Sequence, residues 1–142
     1  MNEYTIFTIN IGMKESFSKR ITKEMEDSFR VISGDENPLH QDDLFAQETG
    51  LGKFKSHVTF GMLTASLYST MAGMYLPGKY SLIHSFEELS FKKPVYVGDM
   101  LTTFGEVIEK NANLNLIRLK ISIRNQKGEL VSKGKMKILL LK

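Results

Sequence analysis

The chain has 142 residues, 42% of them hydrophobic and 25% charged, no cysteine and a formal net charge of +3. That composition suits one globular domain over residues 1–142 and excludes disulfides, thiolate nucleophiles and Cys-ligated zinc. The charge excess is small and its Lys and Arg are scattered, which argues against nucleic acid.

The opening "MNEYTIFTIN" has an acid at position 3 and alternating polar residues. It is expected to be a strand that residues 14–20 extend, and not a signal peptide, which points to a cytoplasmic protein. Thr22 followed by Glu24 marks a helix start, with Met25, Phe29 and Ile32 on one face and Gly34 as its stop. A polar loop, "SGDENPLH", follows at residues 33–40. Residues 41–48 then form a short second helix carrying Leu44 and Phe45.

Residues 58–78 contain no charged side chain, nominally enough to span a bilayer. Yet Thr59, Thr64, Ser66, Ser69 and Thr70 interrupt the segment and Pro77-Gly78 closes it. It is therefore expected to be a helix from Thr59 or Phe60 to Tyr75, apolar on all sides and enclosed by protein, with no membrane contact.

The second half reads as strands at 80–91, 99–110, 114–124 and 129–141. Ile117, Leu119, Ile121 and Ile123 alternate with Arg118, Lys120, Ser122 and Arg124, so one face is buried and one is wet. Lys133, Lys135 and Lys137 share a face of the last strand opposite Gly134, Met136 and Ile138, expected to be a solvated face that also discourages edge pairing. The element order requires an α+β fold, in which an antiparallel sheet curls around a buried central helix. Five or six strands cover such a helix only partly, and a second copy of the chain would help to close it.

The loop at 33–40 admits three readings. Gly34-Asp35 and Asn37-Pro38 are favourable turn residues in any protein. Asp35, His40, Asp42 and Asp43 could approach a metal, but they match no calcium-loop spacing, and His57 and His84 lie in other elements, so no zinc spacing exists either. Asp35 and His40 could instead act as an acid/base pair on one water, since their ordinary pKa values of about 3.9 and 6.5 bracket the useful range. Gly34 lets the backbone approach a ligand, and Pro38 stiffens the excursion.

"FRVISGDENPLHQDDLFA", residues 29–46, resembles the signature of the (R)-specific enoyl-CoA hydratases and MaoC-like dehydratases, a branch of the hot-dog superfamily. Phe29, Ser33-Gly34-Asp35, Asn37-Pro38-Leu39-His40 and Ala46 carry the match. "FGMLTASLYS", "YLPGK" and "LSFKKPVYVGDMLT" resemble later landmarks of the family in the same order, so that the likeness spans about residues 15–140.

The resemblance implies a single hot-dog domain and a hydro-lyase of fatty acid metabolism. Its reaction is reversible addition of water to a trans-2-enoyl thioester of CoA or acyl carrier protein, giving an (R)-3-hydroxyacyl thioester. Asp35 and His40 would be the catalytic dyad, and the Gly61 N–H would face the thioester oxygen at the start of the buried helix. Close helix packing is the competing reason for that glycine.

Asn37, Phe60, Met62 and Ser69 would border the substrate. Asn37 would also brace the loop, and for Ser69 a hydroxyl bonded to its own helix is an equal alternative. Asp99 would make a turn. Small residues of the helix (Ala65, Ser66, Ser69, Ala72, Gly73) leave room that Tyr68, Met71 and Met74 could close.

No cofactor and no metal are implied, and the family's pairing habit implies a homodimer. Lys53, Lys55, Lys79, Lys92 and Lys93 are candidates to meet CoA phosphates or an acidic carrier protein, or are ordinary solubilising lysines. One departure stands out: Phe60-Gly61 occupies the place where the family commonly has His-Gly, which bears on the pocket floor and on the acyl chains accepted. His57, three residues before Phe60, could partly take the place of that histidine, but reads rather as a surface histidine. A hot-dog thioesterase and a non-catalytic acyl-thioester-binding subunit are the competing functions.

Overall fold

The computed structural model describes all residues, 1–142. Five strands, β1 (Lys14–Arg20), β2 (Ser81–Phe91), β3 (Met100–Asn111), β4 (Leu116–Arg124) and β5 (Leu130–Leu140), form one antiparallel sheet in the order β1-β3-β4-β5-β2. Three helices accompany it: α1 (Lys23–Ser33), α2 (Asp43–Thr49) and α3 (Gly61–Thr70), the last continuing as a wider π turn over Met71–Tyr75. No helix is long and apolar enough to cross a membrane.

The alternation in β4 works as expected. Ile117, Leu119, Ile121 and Ile123 are fully buried against α3 and its extension, where Leu67, Tyr68, Met71 and Ala72 join the same core. Arg118, on the other face, pairs with Glu109 of β3 and Glu87 of β2. The trough of the curled sheet thus holds the long helix, the hot-dog arrangement.

Three details depart from the sequence reading. Residues 1–10 are not a strand. They run as turns with one isolated bridge, Glu3 to Gly78, and use Ile6 and Ile9 as plugs for the core. Their alternation reflects which side chains reach inward, not a ladder.

The lysine row of β5 does not guard an edge, because β2 returns to pair outside β5. Lys135 and Lys137 instead meet Glu88 and Glu87 of that neighbour, at 3.6 and 3.1 Å.

As expected of one curled sheet, α3 is covered by this chain on one side only. Met62, Ser66 and Ser69 remain exposed along its outer face. Ile32 of α1 is exposed as well, although Met25 and Phe29 are partly buried.

α1 obeys its capping signals. The Thr22 hydroxyl accepts the Met25 N–H at 3.2 Å, and Gly34 ends the helix in the left-handed region at φ 72°, its N–H donating to the Arg30 carbonyl. That stop delivers the chain to Asp35 at a defined angle.

Candidate active site

The loop after α1 is built from turns that satisfy its own backbone. Ser33 Oγ accepts the Asp35 N–H at 3.2 Å, Asp35 Oδ1 accepts the Asn37 N–H at 3.0 Å, and Asn37 Oδ1 accepts the Leu39 N–H at 3.0 Å. The expected turn chemistry therefore exists, and it spends only one oxygen of Asp35. Asn37 caps the single turn Pro38–His40 and braces the loop.

His40 is held from three sides. Its Nδ1 lies 2.8 Å from the Val58 carbonyl oxygen, which can only accept, so Nδ1 carries the proton. Its ring lies on that of Phe60, and Phe60 in turn packs against Phe29. The Arg30 guanidinium donates to the His40 carbonyl at 3.4 Å and sits 5.9 Å from the Phe60 ring centre. With Nδ1 committed, Nε2 faces Asp35 Oδ2 at 3.9 Å. That is beyond direct hydrogen bonding. The structure thus brings together the acid and the imidazole of the sequence motif, side by side and unbonded.

Gly61 opens α3 behind them. No side chain caps this helix end, and the first N–H groups of a helix have no internal partner. A Cβ at Gly61 would come no closer than 3.5 Å to the Phe91 ring, ordinary contact, so close packing does not demand the glycine. His40, Gly61, Thr64, Phe91, Lys92 and Lys93 line one cleft of about 390 Å³.

Other expected site residues are placed elsewhere. Phe60 is buried behind His40. Met62 and Ser69 lie on the exposed outer face of α3, and Ser69 makes no hydrogen bond to its own helix, whereas Ser66 does, to the Leu63 carbonyl. Tyr68 and Met71 face the sheet and are fully buried, so only Met74 of the three residues proposed to fill the space beside the helix is exposed.

Asp99 makes its turn, accepting the Tyr96 N–H at 3.0 Å. Among the lysines, Lys92 and Lys93 reach the cleft. Lys55 lies over the Tyr96 ring, and Lys79, beyond the far end of the long helix, pairs with Glu3.

The sequence reading missed one group. His57 is not a surface histidine: Nδ1 meets Asp43 Oδ1 at 2.6 Å and Nε2 meets Glu26 Oε1 at 3.0 Å. Glu26 is only 2% exposed, and its other oxygen accepts the Thr59 hydroxyl at 2.8 Å. Burial pushes the His57 pKa down, but hydrogen bonds to Asp43 and Glu26 outweigh it and hold the imidazole above its ordinary value. Of the carboxylates that entered the metal reading, Asp43 is committed to this pair, and Asp42 caps α2 by accepting the Phe45 N–H. The available signal was Glu26 itself, a charge three residues before Phe29 on the inward side of α1.

The sequence profile of the MaoC like domain matches residues 7–125. The chain is 39% identical over 127 residues to the (R)-specific enoyl-CoA hydratase of Aeromonas caviae, covering 89% of this chain and 92% of that protein. It is 33% identical over 101 residues to the 3-hydroxybutyryl-CoA dehydratase of Methylorubrum extorquens, covering 71% of this chain and 62% of that protein. The solved structure of the A. caviae (R)-hydratase superposes with a TM-score of 0.85 at 37% identity, over 94% of this chain and 98% of that one. Through profile, sequence and fold alike, the chain belongs to the MaoC-like domain family.

Proposed function

We propose that the whole chain, residues 1–142, works as one hydro-lyase domain that reversibly hydrates trans-2-enoyl thioesters to (R)-3-hydroxyacyl thioesters. The observation that carries this reading is the facing pair Asp35 Oδ2 and His40 Nε2, 3.9 Å apart, in a chain 39% identical to an (R)-specific enoyl-CoA hydratase.

A carboxylate oxygen and a neutral imidazole nitrogen are both acceptors. A water donating to both at the usual distance of about 2.8 Å would open an angle of about 90° at its oxygen, close to the water's own H–O–H angle. The pair therefore suits one water with a lone pair free to attack. In the forward direction the water oxygen bonds to C3, Asp35 takes its proton, and the C2–C3 double bond yields its electrons toward the thioester carbonyl. His40, which positions the water, relays to C2 the proton that Asp35 received, so the addition is completed with both side chains back in their starting states. The Gly61 N–H at the start of α3 faces the charge that develops on the carbonyl oxygen, where the helix dipole favours it.

Phe60 supports the His40 ring from behind. Asn37 keeps the loop in shape, and Met62 and Ser69 border the acyl chain. The thioester carrier is CoA or acyl carrier protein, with Lys92 at the cleft to meet its negative charge and Lys93 beside it, paired with Glu129 at 2.6 Å. A cytoplasmic homodimer fits the exposed outer face of α3, which a second copy would cover. No cofactor enters this chemistry.

The test is loss of the enoyl-thioester absorbance band with crotonyl-CoA and with an eight-carbon enoyl-CoA. Turnover by the wild type and a fall of roughly 10²–10⁴ in kcat for Asp35→Asn are expected. Asparagine keeps the oxygen that accepts the Asn37 N–H, so the loop survives. Undiminished hydration by Asp35→Asn would sink the dyad. Hydrolysis of saturated acyl-CoA would favour a thioesterase, and binding of it without turnover would favour a non-catalytic subunit.

A further inference from the structure

The cluster of Glu26, His57 and Asp43 is not used by the chemistry above, yet it is tied to both ends of the loop that holds the dyad. Glu26 belongs to α1, which leads through Gly34 directly into Asp35. Asp43 opens α2, three residues beyond His40. His57 immediately precedes Val58, whose carbonyl receives His40 Nδ1 at 2.8 Å and whose N–H donates to the Leu39 carbonyl at 3.1 Å.

The geometry counts protons. Asp43 Oδ1 accepts both the His57 backbone N–H, at 2.9 Å, and the ring at Nδ1, at 2.6 Å, so Nδ1 is a donor. Glu26 Oε2 is occupied by the Thr59 hydroxyl, and Oε1 faces Nε2 at 3.0 Å. A neutral imidazole donates from one nitrogen only. With both carboxylates ionised, Nε2 would then present a lone pair to a buried anion. The cluster closes only with one proton more than a neutral histidine and two carboxylates hold.

No other charge supplies this need. Lys23 and Arg30, which share the cleft, are engaged by Asp27 at 3.0 and 3.1 Å. Asp42 accepts a backbone N–H at the start of α2, and His40 turns its ring to Val58 and Phe60.

We propose that Glu26, His57 and Asp43 form a proton-held clamp in which the His57 imidazolium is a positioning residue for His40. The proposal rests on the reading of Asp35 and His40 as the reacting pair. With the imidazolium in place, α1, α2 and the strand-like segment before α3 are locked together, and the Val58 carbonyl stands where it fixes the His40 tautomer. Loss of the proton breaks the link to Glu26, frees the segment at Val58 and lets the His40 ring turn. The hydratase then has an upper pH limit set by a residue that never touches substrate.

Glu26→Gln separates the clamp from its proton. The amide introduced there can donate to a neutral Nε2 while its carbonyl accepts the Thr59 hydroxyl, so the bridge closes at every pH. The experiment records imidazole ¹⁵N–¹H correlation spectra of the full chain from about pH 6 to pH 10, together with kcat and KM for crotonyl-CoA, for wild type and Glu26→Gln.

In the wild type, His57 is expected to carry protons on both nitrogens at neutral pH. The His40 signals should inflect at the His57 midpoint, and kcat should fall about tenfold through it with little change in KM. Glu26→Gln should move the His57 midpoint down by about one pH unit or more and remove the inflection from both the His40 signals and kcat. A singly protonated His57 at neutral pH, or His40 signals indifferent to its titration, would overturn the clamp whether or not the chain turns over crotonyl-CoA. Absence of turnover with normal His57 titration would count against the hydratase reading alone.

Discussion

The imidazole of His40 lies on the ring of Phe60 with centroids 4.2 Å apart and planes inclined by 32°. Phe60 is 1% exposed between His40, Phe29 and Arg30. Phe60 therefore presents an apolar wall that fixes the His40 imidazole by shape. Stacked beside the Val58 carbonyl, it leaves His40 a single orientation, with Nε2 toward Asp35.

Phe60→Ala should cost about 3–5 kcal/mol in urea unfolding, the usual loss for deleting a fully buried phenyl group. Phe60→Leu should cost less than about 1.5 kcal/mol, because volume is largely kept, but kcat should still fall since the flat face against His40 is gone. Equal kcat in Phe60→Leu and wild type would show that the ring is not needed to hold the imidazole.

Gly61→Ala separates stability from activity. The added methyl meets Phe91 at 3.5 Å, a contact without strain, and alanine restricts the unfolded chain more than glycine. The folded state should gain up to about 1 kcal/mol, seen as a higher melting temperature. The same methyl stands at the open end of α3 beside the cleft, so KM for the enoyl thioester should rise and kcat should fall. A variant that is less stable but fully active would return Gly61 to a packing role.

The Tyr68 hydroxyl donates to Ser132 Oγ at 2.9 Å, both residues being fully buried. Burial pushes the Tyr68 pKa up to about 12, while the hydrogen bond to Ser132 draws it down, so this phenol should stay neutral while exposed tyrosines ionise near pH 10. Tyr68→Phe leaves Ser132 buried without a partner and should cost about 1–3 kcal/mol. Adding Ser132→Ala should recover most of that loss in chemical denaturation. A double variant no more stable than the single one would mean that Ser132 finds another partner.

What the sequence revealed follows from how local each signal is. The α1 boundaries were legible because Thr22 and Gly34 act within one turn of the helix. The β4 faces were legible because four alternate aliphatic residues can only point one way. The nearness of Asp35 to His40 was legible because only four residues separate them, whereas their reading as an acid/base pair came from the family resemblance and not from the turn chemistry.

Residues 1–10 misled because Ile6 and Ile9 plug a core formed by strands more than a hundred residues away. The lysines of β5 lie on the outward face as expected, but they guard no edge, and no local pattern says that β2 pairs outside them. The partners of His57 stand 14 and 31 residues away in sequence, on two helices whose relative placement only the folded chain defines. That is why a half-buried imidazole held between a buried glutamate and an exposed aspartate passed as a surface histidine.

That cluster also makes stability depend on pH with a definite sign. The folded chain holds the His57 pKa above the ordinary value of 6.5, so the native state binds the proton more tightly than the unfolded chain does. The resulting stabilisation is fully present below about pH 6.5 and is lost as pH rises through the raised folded value. The carboxylate partner works in the opposite direction: hydrogen bonds from the His57 backbone and ring hold Asp43 below its ordinary value, so its share is lost only in acid. Urea midpoints should therefore fall on the alkaline side for the wild type. His57→Gln should lie below the wild type at pH 6 and show no such fall, since glutamine has no proton to lose. A wild-type midpoint that stays level from about pH 6 to pH 9 would mean that His57 is already neutral when the chain is folded.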